Sequence, residues 1–100
     1  MRILVGIAHG ASPDSYAYQH ALWGSLGDEV RIFSNLGHDA LYTPQTDFKT
    51  ILETLSGFRP DVVILYSPEY WPIPRGLELF DGLVVALIGD WNLWNDCLYR

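Results

Sequence analysis

Residues 59–70, RPDVVILYSPEY, constrain the fold more than any other stretch of this chain. Val62, Val63, Ile64 and Leu65 form an apolar run without in/out alternation, entered through Pro60-Asp61 and left through Ser67, Pro68 and Glu69. A strand that is polar on neither face must be covered on both, and such strands belong to parallel sheets flanked by helices. The run is therefore expected to be a central strand. At its carboxyl end the sequence changes to small, polar and aromatic residues, where an open α/β sheet presents groups to a ligand.

The remaining chain falls into units of the same kind. Ile3 to Ile7 is short and apolar and gives way to Ala8-His9-Gly10-Ala11-Ser12-Pro13-Asp14, which reads as a buried strand followed by a loop. Asp14 or Ser15 can cap a helix carrying Ala17, Ala21, Leu22 and Leu26, which Gly27 stops. Residues 29–33 alternate and predict a strand near the sheet edge. Residues 34–46 show no sustained period and predict a loop, and long loops in compact domains are often functional. Thr46 or Asp47 can cap a second helix with Phe48, Ile51, Leu52 and Leu55 on one stripe, closed at C′ by Gly57 and kept from resuming by Pro60. Residues 67–74 hold three prolines and predict a stiff extended loop, residues 75–80 a short helical turn, and residues 83–88 a further apolar strand. Gly89-Asp90-Trp91-Asn92 follows as its carboxyl-end loop, and residues 93–100 begin a helix.

Four strands alternating with helical segments favour right-handed crossovers. The expected architecture is a single α/β domain, Rossmann-like and three-layered, α/β/α, with a four-stranded parallel sheet of order 2-1-3-4. Ligands bind such sheets where the strand order reverses, here between the first and third strands. The 49% apolar content is ample for a packed core.

Several function classes lose support at this level. The six Lys and Arg residues are scattered and the formal charge is −6, so nothing forms a basic stripe for phosphate backbones and no nucleic-acid partner is expected. One cysteine, Cys97, excludes an internal disulfide, and with three histidines lacking ligand spacing no metal is expected. The opening MRILVGIAHG turns polar too early for a signal peptide or a spanning helix, so a cytoplasmic protein is expected. GIAHG matches neither G-x-G-x-x-G nor the P-loop, and no cofactor is expected; its glycines either admit a ligand to the backbone or permit a turn. No serine sits in a nucleophile elbow, so acyl transfer has no support.

The loops at strand ends carry the candidate chemistry. Asp90, leaving an apolar strand beside Trp91, is either a general base with a raised pKa or the cap of the following helix. His9 is either a base or hydrogen-bond donor, or a satisfied loop histidine; His20 and His38 are weaker candidates. Glu69 can meet solvent, Arg75 or ligand hydroxyls. Tyr70, Trp71, Trp91 and Trp94 form either a stacking wall for a sugar or core and contact surface.

Taken together, MRIL at the start, L-G-D-E-V, F-R-P-D-V-V-I-L before S-P-E-Y-W, and I-G-D-W-N resemble the amino-terminal half of a GT-B fold glycosyltransferase. The group related to the spore maturation protein CgeB and the family 4 enzymes are the nearest in pattern. The resemblance spans the whole chain, with S-P-E-Y-W and G-D-W-N its distinctive pieces. It implies two facing Rossmann-like domains, the carboxy-terminal one holding the nucleotide-sugar and the amino-terminal one the acceptor. By position it places residues 9–14, 67–70 and 89–92 along the cleft, with Gly10, Asp14, Ser67, Glu69, Tyr70, Gly89, Trp91 and Asn92 touching substrate and Asp90 near the base position, where many such enzymes have a histidine.

This sequence ends at Arg100 without a donor domain, and residues 91–98 set Trp91, Trp94, Cys97 and Leu98 at helical spacing. A truncated half, inactive alone, is expected, with a homo-oligomer formed through the fourth-strand edge and the C-terminal helix. The rival expectation is a stand-alone flavodoxin-like module for a nucleotide or a protein partner.

Overall fold

A computed structural model describes residues 1–7, 29–66 and 73–87, together with residues 18, 20–22 and 24. Five strands form one wholly parallel sheet: β1 (Arg2–Ile7), β2 (Glu29–Ser34), β3 (Ala40–Leu41), β4 (Val62–Tyr66) and β5 (Leu83–Leu87). The order is β3-β2-β1-β4-β5. Helix α1 (Phe48–Thr54) connects β3 to β4, and a 3-10 turn at Leu77–Leu79 precedes β5. Residues 18, 20–22 and 24 are helical.

This corrects the expected sheet in count and order, which are five strands rather than four and 3-2-1-4-5 rather than 2-1-3-4. The added strand lies inside residues 34–46, expected to be loop throughout. Two residues are too few to leave a periodic signal, yet Ala40 and Leu41 pair with Phe33 and Ser34. In the observed order β2 lies near the edge, as its alternation predicts, but one strand in from it rather than at the edge position that 2-1-3-4 implies, and the middle strand is β1, with β4 beside it. Strand β4 is still an interior strand, its Val63, Ile64 and Leu65 buried.

Alternation along the strands sorts apolar side chains into two cores. Leu4, Phe33, Val63 and Leu65 pack on one face with Phe48, Ile51 and Leu55 of α1 and with Tyr42, Phe58 and Leu77. Ile3, Val5, Ile7, Val30, Ile32 and Ile64 pack on the other. Burial of side chains this size contributes about 1.5–3 kcal/mol each before conformational entropy is subtracted. Gly6 is held in β1 by its neighbour on β2. The two residues are in register, and the Phe33 ring covers the space where a Cβ on Gly6 would stand.

Helix α1 begins where its sequence predicts. The Asp47 Oδ1 carboxylate oxygen accepts hydrogen bonds from Thr50 N–H (3.0 Å) and Thr50 Oγ1 (2.7 Å). Its end differs in detail. Leu55 is the C-cap, Ser56 takes a positive φ of 34° and Gly57 follows at 79°, so the left-handed reversal uses two residues where Gly57 alone was expected at C′.

Candidate functional site

Strand direction and order decide where a ligand can approach. From β1 the chain goes to β2 on one side and later to β4 on the other, so the order reverses at β1 and opens a crevice at the carboxyl ends. Ile7 pairs with Ser34 and with Tyr66, and Tyr66 pairs with Leu87. These four residues close β1, β2, β4 and β5 in one line, and the chain leaves every one of these strands at the same rim. Strands β4 and β5, the two long apolar runs, are adjacent and parallel.

The residues selected from sequence follow those strand ends directly, but they lie outside the described residues. His9, Gly10 and Asp14 come after β1; Ser67, Glu69 and Tyr70 after β4; Gly89, Asp90, Trp91 and Asn92 after β5. Of the alternatives for Glu69, the pairing with Arg75 falls with it outside the described residues. Arg75 itself serves α1: its carbonyl accepts from Phe48 N–H at 2.8 Å, and its guanidinium approaches the Gln45 carbonyl at 3.5 Å.

The described part of the rim is the loop from β2 through β3, organised by Ser34. The Ser34 carbonyl accepts from Gly37 N–H (3.1 Å) and Tyr42 N–H (2.9 Å), while its hydroxyl accepts from Leu36 N–H (3.1 Å) and lies 2.8 Å from His38 Nδ1. Gly37, at φ 95°, supplies the left-handed residue that this turn requires. Ser34 is wholly buried, so its hydroxyl holds the loop and is not open to a substrate carbonyl despite its histidine neighbour. Sequence reasoning missed the Ser34–His38 contact. The available signal was the four-residue spacing around Asn35-Leu36-Gly37, a turn composition.

Asp39 closes the outer side of β2 before β3 begins. Its Oδ2 accepts from Ile32 N–H at 2.8 Å, and its own N–H donates to the Ile32 carbonyl at 2.9 Å. Asp39→Ala leaves the Ile32 N–H without its charged acceptor and is expected to cost about 1–3 kcal/mol in urea unfolding, whereas Asp39→Asn keeps an acceptor oxygen and costs less.

Next in the chain, Tyr42 is buried against Phe33, with ring centroids 5.5 Å apart, and burial pushes its phenol up to about 12. A phenol that resists ionisation offers no base at neutral pH.

Beyond the loop, α1 and residues 75–81 enclose an open groove of about 730 Å³ with Phe48, Leu52, Leu79 and Phe80 on its apolar side and Asp47, Lys49, Arg75 and Asp81 around it. Charges of both signs give it no preference for an anion or a cation. Hydrogen bonds from the Thr50 side chain and backbone hold the Asp47 carboxyl below its ordinary value. A lowered folded-state pKa stabilises above the unfolded value near 3.8 and is lost as pH falls through the folded one. Asp47→Asn should therefore remove part of the acid sensitivity of α1 below pH 4, read by helical circular dichroism against wild type. An unchanged acid titration would contradict the cap.

Among the described residues no group of three or more His, Cys, Asp or Glu side chains is placed to hold a metal ion. No helix among them is long and apolar enough to cross a membrane. Comparison of the chain with known protein families, curated proteins and solved structures finds no match.

Proposed function

We propose that this chain is the acceptor-side, amino-terminal domain of a GT-B glycosyltransferase, Rossmann-like and three-layered, and inactive in isolation. The observation that supports the reading is the parallel, side-by-side run of β1, β4 and β5, because it ends these strands, at Ile7, Tyr66 and Leu87, on one rim beside the strand-order reversal, and the segments 9–14, 67–70 and 89–92 follow those ends in sequence. Those segments contain the residues on which the resemblance rests. Asp90, or His9, would take the proton from an acceptor hydroxyl as it attacks the anomeric carbon, and the nucleotide would leave with the bond electrons. Ser67, Glu69, Tyr70 and Asn92 would orient the acceptor hydroxyls, and Trp91 would stack on the sugar face. A partner domain, in further chain or another subunit, would hold the nucleotide-sugar.

The direct test is a transfer assay of the 100-residue chain with a panel of nucleotide-sugars and simple acceptors, alongside calorimetric titration with nucleotides and flavin. Absence of turnover and of tight nucleotide or flavin binding is expected. Turnover by the isolated chain would refute the half-enzyme reading, and tight nucleotide or flavin binding would replace it with the flavodoxin-like module.

A further inference from the structure

The two edges of the sheet are built differently. At the β3 edge the strand has two residues, and Asp39 occupies the Ile32 backbone groups next to it. Short strands and edge charges of this kind block pairing with another chain. At the other edge, β5 reads Leu83-Val84-Val85-Ala86-Leu87, without charge or proline, and no strand lies on its outer side among the described residues. Leu83 and Leu87 are 61% and 41% exposed, which is far from usual for an uncharged strand of a parallel sheet.

Backbone geometry says what can occupy that edge. In a parallel ladder one residue directs both its N–H and its C=O to the same neighbour, and the next directs both away. Leu83 N–H donates to the Asp61 carbonyl on the β4 side, so Leu83, Val85 and Leu87 face β4 while Val84 and Ala86 face outward. We infer that two copies of this chain pair through β5 in antiparallel register centred on Val85, extending the sheet across a two-fold axis. This register sets Val84 opposite Ala86 of the second copy and Ala86 opposite its Val84, so every outward backbone group of the two positions meets its complement. Leu83, Val85 and Leu87 share a face with the same residues of the second copy, Leu83 opposite Leu87 and Val85 opposite Val85, and join into one apolar strip. An isologous contact of this kind closes at two. It also points the two carboxyl-end rims in opposite directions and leaves both open, so it holds whether or not that rim receives a sugar.

Sedimentation equilibrium over a concentration series tests the pairing, since a five-residue edge places the contact at the small, transient end of interfaces. The expected limit is twice the 11.3 kDa chain mass. Val84→Pro removes an outward N–H that β4 does not use and is tolerated at an edge, so it should weaken association at least about tenfold while unfolding stays cooperative. Should that variant fail to fold, Val85→Cys in a Cys97→Ser background decides. Directly opposed, non-hydrogen-bonded positions have Cα atoms about 4.5 Å apart, within disulfide reach. Val85→Cys should oxidise to a covalent dimer much faster than Val84→Cys in the same background. A monomer at all concentrations, an oligomer larger than two, a folded Val84→Pro that still pairs, or equal cross-linking at both positions would overturn the inference.

Discussion

Gly6→Ala is expected to lower the urea midpoint by the equivalent of about 1–3 kcal/mol, the range for an overpacked core, and Gly6→Val by more. The cause is local and named. Gly6 and Phe33 are opposite one another on β1 and β2, and an ideal Cβ on Gly6 would stand inside contact distance of three Phe33 ring carbons. Phe33 has nowhere to go, because it is buried with Tyr42 tilted against it at 5.5 Å. The two positions should therefore be coupled. Phe33→Leu alone loses ring contacts and destabilises, but combined with Gly6→Ala it makes room for the new methyl group. The double mutant should be more stable than the sum of the singles predicts, by roughly 0.5–3 kcal/mol. Strict additivity, or a Gly6→Ala protein as stable as wild type, would remove the packing explanation for this glycine.

Alkaline unfolding should depend on Tyr42. Burial raises the Tyr42 phenol from 10.0 to about 12, because the phenolate would give up water for an apolar surround. The direction fixes the pH window. The unfolded chain releases the proton near pH 10 and the folded chain only near 12, so the contribution is complete below pH 10 and disappears as pH rises through 12. Two units correspond to about 2–3 kcal/mol. Tyr42→Phe, which keeps the ring against Phe33, should flatten the loss of stability between pH 10 and 12 relative to wild type. Parallel pH profiles for the two proteins would show that Tyr42 ionises as freely folded as unfolded.

What the sequence made legible follows from how strongly each segment is determined locally. Residues 62–65 and 83–88 could be read as parallel strands because an unbroken apolar run leaves few other folded states, and the strands found there are Val62–Tyr66 and Leu83–Leu87. The cap could be narrowed to Thr46 or Asp47 because such an oxygen serves the N–H three residues on with no tertiary partner required, and Asp47 is the one that does so. Strand β3 could not be read. Its two residues form a strand only because Asp39 and Ser34 bend the chain back along β2, and such pairing leaves no period in sequence. The role of Gly6 was hidden for the same reason. In GIAHG it suggested a turn or a ligand approach, but its constraint is Phe33, 27 positions away in sequence and adjacent only once β1 and β2 align. Of the candidate site, only the parallel topology that ends β1, β4 and β5 at one rim was legible. The interplay of Ser34, His38 and Tyr42 beside it was not, since each contact depends on the turn that the others create.

The most direct measurement of the account is an amide chemical-shift titration of the isotopically labelled chain with simple sugar acceptors. A shared acceptor rim predicts shifts at Ile7, Tyr66 and Leu87, where β1, β4 and β5 end, with Arg2, Asp61 and Leu83 at the opposite rim unmoved. Shifts confined to Arg2, Asp61 and Leu83 or to the groove beside α1, or none at saturating sugar, would contradict it.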